Sequence, residues 1–187
     1  MRRRASRWIR GSVGLSFGAL LASVAGDATA EQRPGHPAAV GATPELRRVF
    51  RNPSSEQMRG LLTQVRRVAV VGLSDRPERP SFHVAEYLRA QGYEVIPVNP
   101  TLREWQGLRC YASLRDVPGA IDLVNVFRRS AEVGPIVEEA IAVGARSLWM
   151  QLGVANTEAA LRAQAAGLTV VENRCILVEH QRHFGPQ

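Results

Sequence analysis

From Ser54 onward the apolar residues of this chain fall into alternating helical and extended patterns. Met58, Leu61, Leu62 and Val65 recur at helical spacing. Ser54 or Ser55 stands where a cap is wanted, so a helix is expected from there to about Gln64. Val68-Ala69-Val70-Val71 is a continuous apolar run closed by Gly72, the pattern of a strand buried on both faces. Val84, Tyr87 and Leu88 return to helical spacing, Gly92 takes the place of a helix terminator, and Glu94–Val98 reads as the next strand. Further along, a weak strand is expected near Arg109–Tyr111 and stronger ones over Asp122–Phe127, Ser147–Leu152 and Leu168–Glu172. Helices are expected over Glu132–Val143 and Thr157–Ala166, the last closed by Gly167. The run after Glu172 is assigned no element.

Strands alternating with helices through short connections predict an α/β domain: a Rossmann-like, doubly wound, mainly parallel sheet of five to six strands. Right-handed crossovers then place the strand C-termini along one edge. The loops after Val71, Val98, Phe127 and Met150 share that edge, where open α/β sheets take their ligands.

The first of these loops, Gly72-Leu73-Ser74 through Arg79-Pro80-Ser81, opens into a helix whose N-terminal amides can meet an anion. Gly72 permits close backbone approach, Ser74 and Ser81 carry hydroxyls, and Arg76 or Arg79 can pair with phosphate oxygens. A surface turn punctuated by two prolines explains the same residues equally well. Ser74 stands where G-x-G-x-x-G has its second glycine, which disfavours NAD. Val98-Asn99-Pro100 ends the second strand where such folds read a ribose or adenine, or else is a plain Asn-Pro turn. Phe127 can line an adenine pocket and Arg128 can neutralise a phosphate; the alternative is a solvated arginine pair behind a core strand. Gly153, after Trp149-Met150-Gln151-Leu152, admits a ligand close to the main chain, whereas Trp149 reads as core.

Taken in order, Val70–Ser74, Arg79–Ser81, Val95–Pro100, Val126–Arg128, Trp149–Gly153 and Asn173-Arg174-Cys175 resemble the small stand-alone CoA-binding proteins. Those proteins are similar to the CoA-binding domain of the succinyl-CoA synthetase alpha subunit, and the resemblance covers about Ser54 to His180. It implies that the Gly72-Leu73-Ser74 loop and Ser81 hold the CoA phosphates, and Arg79, inside the matching Arg79-Pro80-Ser81 run, is counted with the binding residues. It further implies that Val98, Asn99, Pro100 and Phe127 hold the adenosine, that Arg128 meets a phosphate, and that Gln151 and Gly153 border the pantetheine path. The implied function is non-catalytic binding of coenzyme A or acyl-CoA, and a regulatory effect on an unidentified protein partner is the accompanying expectation. The ligase domain with its phosphorylated histidine has no counterpart here, so no acyl-CoA synthesis is expected. An NAD(P)- or nucleotide-dependent enzyme in the same cleft is the alternative, with an empty-cleft scaffold a third reading.

Candidate catalytic groups are sparse. His83 opens the helix beside the first loop, but no carboxylate stands at a fixed spacing from it, so it reads as solvated or anion-facing. Cys175 can exchange disulfides with a CoA thiol if it faces the site, though a buried structural cysteine is the commoner case. Cys110 and Cys175 are the only cysteines, and no Cys/His spacing suits a metal.

Charge changes the picture only at the N-terminus. The chain has a net charge of +7, all 24 basic residues being Arg. Residues 1–52 hold nine Arg against three acids, whereas residues 53–187 hold fifteen against fourteen. The domain is therefore nearly neutral and lacks an aromatic-basic stripe, which argues against nucleic acid. Met1–Arg10 is basic, Gly11–Gly26 apolar but too short for a stable span, and Ala28-Thr29-Ala30 a cleavage-like pattern. An export signal, a transit peptide or an upstream start codon each fit residues 1–30. The third is preferred because the implied ligand is cytosolic, giving a cytoplasmic expectation with export or organellar import as alternatives. Residues 31–52, rich in Pro and Gly, read as a flexible linker, and 53–187 as the CoA-binding domain.

Overall fold

The computed structural model describes residues 50–185. The targeting-like segment 1–30 and the linker as far as residue 49 lie outside the described residues. In chain order the regular elements are α1 (Ser55–Gln64), β1 (Arg67–Val71), α2 (Pro80–Ala90), β2 (Glu94–Val98), β3 (Glu104–Trp105), β4 (Leu108–Arg109), β5 (Leu123–Val126), α3 (Val133–Ala142), β6 (Ser147–Met150), α4 (Thr157–Ala165), β7 (Thr169–Val171) and α5 (Ile176–Phe184). Five strands form one wholly parallel sheet in the order β2-β1-β5-β6-β7.

Helices cover both faces. Ala69, Val71, Val98, Val124, Val126 and Met150 pack with α3 and α4, while Val68, Val70, Val95, Leu123, Trp149 and Val171 pack with α1, α2 and α5. Alternate side chains thus enter different cores, so the strands read as nearly continuous apolar runs. α1 starts at Ser54, whose hydroxyl accepts from the Gln57 amide at 3.2 Å while the Gln57 side chain accepts from the Ser54 amide at 2.8 Å. Gly92 (φ +89°) and Gly167 (φ +92°) follow the ends of α2 and α4 in the left-handed conformation that terminates a helix.

At the amino edge, Asp122 Oδ2 accepts from the amides of Arg66 and Arg67, each at 2.9 Å. Burial alone would raise this carboxyl. Those amide bonds, with the Arg146 and Arg67 charges, more than offset it and hold the group below the usual range.

Three expectations change. The weak strand near Arg109–Tyr111 does not become a sixth member of the sheet. Gln106 (φ 46°) and Gly107 (φ 80°) instead make a tight turn joining β3 to β4 in a separate hairpin, and Tyr111 forms a single parallel bridge to Val98. The run after Glu172 folds into α5, which buries Ile176, Glu179 and His180. The end of the expected linker belongs to the domain: Phe50 is buried, and the Asn52 side-chain amide donates to the Glu172 carbonyl (2.9 Å) and accepts from its amide (2.7 Å). That pair of bonds satisfies main-chain groups just beyond β7, an edge strand. Among the described residues no helix is long and apolar enough to cross a membrane.

Candidate functional site

Chain order reverses beside β1, which has β2 on one side and β5 on the other. The connections from these strands diverge to opposite faces and leave a crevice at the carboxyl edge. A cleft of about 390 Å³ opens there on the α3 side. Val71, Val98, Pro100, Pro135 and Ile136 give it apolar walls, and Arg128, Ser113, Glu132 and Glu139 supply the polar groups. The volume lies within the range of small-molecule sites.

The first loop is folded against the neighbouring strand end. Gly72 has φ +85°, and a Cβ built on it would stand 2.6 Å from the Phe127 carbonyl oxygen and 3.1 Å from Arg128 Nε. The glycine is thus required by the approach of the β1 and β5 loops to each other. Arg128 lies over that junction, lines the cleft, and makes no ion pair among the described residues. Its neighbour Arg129 is the one that pairs with Glu132, at 3.1 Å. Hydrogen bonding from the Arg129 side chain is the main reason the Glu132 carboxyl lies below the usual range, with the Arg129 and Arg128 charges adding to it.

Leu73, Ser74 and Ser81 are engaged within the protein itself. Leu73 is wholly buried in the core shared with α1, α2 and α5, so it presents no surface to a phosphate. Ser81 is buried at the start of α2, where its Oγ accepts from the Ser74 amide at 3.1 Å; Ser74 Oγ in turn accepts from the Arg76 amide at 3.2 Å. These bonds fix the loop's shape. Pro80 has no N–H, and the amides of Phe82 and His83 are spent on the Arg79 carbonyl, so the anion-binding capacity of this helix end is narrower than expected. The amides of Asp75 and Ser81 make no bond among the described residues. Arg76 and Arg79 are exposed beside them without ion pairs among those residues.

Of the second-strand residues, Val98 and Pro100 line the cleft. Asn99 is a brace: its Nδ2 donates to the Leu73 carbonyl at 2.8 Å, and its Oδ1 accepts from the Thr101 amide and hydroxyl. Phe127 packs against the α1–α2–α5 core, the face opposite the cleft, and does not line an adenine pocket there. Gln151 and Gly153 lie further along the same edge. Gln151 is buried, and its Nε2 donates to Asn125 Oδ1 at 2.7 Å. The Gly153 amide donates to Asn173 Oδ1 at 2.7 Å, and the space over its Cα is open.

Several groups escaped the sequence reading. Ser113, Glu132 and Glu139 reach the cleft only through the packing of α3 and the segment before β5. Asn125, wholly buried in β5, leaves its Nδ2 without a partner among the described residues. A polar residue within the run Leu123-Val124-Asn125-Val126 was the available signal.

The candidate catalytic groups are dispersed. His83 is exposed on the first turn of α2. Cys175 is half-buried at the N-cap of α5, not in the core as the commoner case would have it. Cys110 is the buried cysteine, and burial pushes its thiol up. Among the described residues no cluster of His, Cys, Asp or Glu could hold a metal ion.

Comparison with known proteins bears on this edge. The uncharacterized protein YneT of Bacillus subtilis (strain 168) is 43% identical over 131 residues, 70% of this chain and 97% of that protein. The solved structure of a hypothetical protein from Pyrococcus horikoshii OT3 matches with a TM-score of 0.70 and 40% identity, over 73% of this chain and 98% of that one. The alpha subunit of the ADP-forming acetate–CoA ligase II of Pyrococcus furiosus is 39% identical over 62 residues, 33% of this chain and 14% of the subunit. The family described as a CoA binding domain matches residues 66–181, which take in every strand of the sheet and each of the loops at its carboxyl edge. This chain belongs to the CoA binding domain family.

Proposed function

We propose that the domain binds coenzyme A or an acyl-CoA at the carboxyl edge of its sheet, performs no chemistry on it, and serves a regulatory purpose through that binding. The observation that carries the reading is Arg128: a cation without an ion-pair partner among the described residues, set over the glycine junction at the mouth of the switch-point cleft. A guanidinium outside any ion pair, at the loop junction after β1, suits phosphate oxygens, and the unspent amides of Asp75 and Ser81 further along the same loop add donors. The apolar walls suit the adenosine. The carboxylates of the cleft favour binding over catalysis, because each already holds a structural bond: Glu132 with Arg129, and Glu139 with the Leu114 amide at 3.1 Å.

A thermal-shift panel of CoA, acetyl-CoA, NAD, NADP and ATP tests the reading, since a ligand selective for the native state raises the midpoint by mass action. CoA and acetyl-CoA should give the large shifts. A larger shift with NAD would favour an enzyme using His83 or Cys175, and no shift at all would leave a scaffold. Arg128→Ala should weaken CoA binding by about 1–3 kcal/mol, read by calorimetry; unchanged affinity would reject the phosphate role. Acetyl-CoA incubated with the protein should release no free thiol. A cytoplasmic location accompanies this ligand, and the mass of the mature N-terminus checks whether residues 1–30 are retained.

A further inference from the structure

The cation of the cleft comes from the end of β5 and its carboxylates from α3 and the N-cap of α3. Arg128 stands at the end formed by the β1 and β5 loops, over Gly72. Glu132, Pro135, Ile136 and Glu139 form a stripe along α3 at helical spacing, all facing the cleft. Glu139 lies seven residues beyond Glu132, two turns or about 10 Å along the helix axis. Its Oε2 accepts from the Leu114 amide at 3.1 Å, which fixes the side chain and leaves Oε1 without a partner among the described residues. Ser113, on the same side, spends its hydroxyl proton on Asp116 Oδ2 at 2.8 Å. Among the described residues the far end of the cleft therefore offers hydrogen-bond acceptors and no free side-chain donor, between apolar walls.

We infer that this far end reads the base of the nucleotide, with Glu139 accepting from the exocyclic amine of adenine and so selecting a 6-amino over a 6-keto purine. The inference rests on the CoA reading and assigns the ligand's orientation in the cleft: phosphates toward Arg128, base toward Glu139. Adenine presents an N–H donor at the position where hypoxanthine presents an oxygen. A fixed carboxylate rewards the first and repels the second. A site built around such a bond discriminates because the wrong ring leaves a desolvated acceptor unpaired.

The test uses the full chain, with adenosine 5′-diphosphate and inosine 5′-diphosphate as probes in calorimetry and CoA as the reference ligand. The wild type should bind the adenine diphosphate about tenfold more tightly than the inosine form. In Glu139→Gln the amide oxygen can still accept from the Leu114 amide, while an N–H₂ replaces the free oxygen. That preference should vanish or invert. Glu138→Gln, on the same helix but outside the cleft where it pairs with Arg162, should keep it. Equal affinity of the wild type for both diphosphates would overturn the inference whatever the variants do, as would an unchanged ratio in Glu139→Gln with its melting temperature preserved. Failure of the wild type to bind CoA would instead overturn the broader reading on which the inference stands.

Discussion

Gly72→Ala is the sharpest perturbation of this architecture, because two separable penalties meet at one Cα. The first is conformational: at φ +85° an L-residue is strained by about 1–2 kcal/mol. The second is steric. The new methyl would stand 2.6 Å from the Phe127 carbonyl oxygen and 3.1 Å from the Phe127 carbonyl carbon. Both are backbone atoms held by the Phe127 amide's bond to the Val71 carbonyl at 2.8 Å, so the strand ends must part. Overpacking of this kind costs about 1–3 kcal/mol. Gly153 provides the control: it has φ +83°, yet a Cβ there meets nothing within 4 Å, so Gly153→Ala should cost only the conformational part. Urea denaturation of both variants should place Gly72→Ala about 1–3 kcal/mol below Gly153→Ala, with m unchanged. Because Arg128 Nε is 3.1 Å from the same methyl, CoA affinity of folded Gly72→Ala should fall as well. Equal destabilisation of the two variants would refute the claim that Gly72 is demanded by the loop junction.

Ser81→Ala removes the acceptor for the Ser74 amide and should cost about 1–2 kcal/mol in urea denaturation while weakening CoA binding; undiminished affinity would show that the loop holds its shape without it. Gln151→Leu strips a buried bond from Asn125 and should cost about 1–3 kcal/mol, whereas adding Asn125→Leu should cost less than the sum of the singles; strict additivity would show that the two amides are not coupled. Burial, aided by the charge of His183, holds His180 below the ordinary histidine range. The neutral ring is thus favoured in the fold, so its contribution is complete above the unfolded value of about 6.5 and lost as pH falls through the folded value. The midpoint of wild-type unfolding should decline across that interval more steeply than that of His180→Gln, and parallel profiles would contradict this.

The fold was legible wherever one local rule was enough. Ser54 or Ser55 marked a helix start, with Ser54 the one that caps it, Gly92 and Gly167 marked helix ends, and β2 falls on Glu94–Val98 as its pattern predicts. The hairpin was misread because its ordering depends on a two-residue turn in which Gln106, a residue with no special claim to positive φ, adopts φ 46°. The last helix was missed for a different reason. Its buried side includes Glu179 and His180, polar types that count against an apolar stripe. Glu179 is tolerated there because Arg182 donates to it at 2.9 Å and Arg174 lies 3.6 Å away, and His180 because Nδ1 meets the Tyr87 hydroxyl at 2.8 Å.

The site divides along a similar line. Arg128, Val98 and Pro100 could be found because they stand at strand ends, and strand ends in a parallel sheet share one edge by topology alone. Leu73 and Phe127 occupy equally suggestive positions, but both enter the core opposite the cleft: Phe127 by alternation from Val126, and Leu73 because the chain turns at Gly72, φ +85°, once β1 has ended. Glu139 was invisible for a further reason. In sequence it is one acidic residue on the polar flank of an amphipathic helix, and only the packing of α3 beside the β1–β5 junction turns that flank toward the cleft. Position along a strand thus foretold which residues of the strand ends line the cleft, while the choice of helix face decides which polar atoms stand beside them.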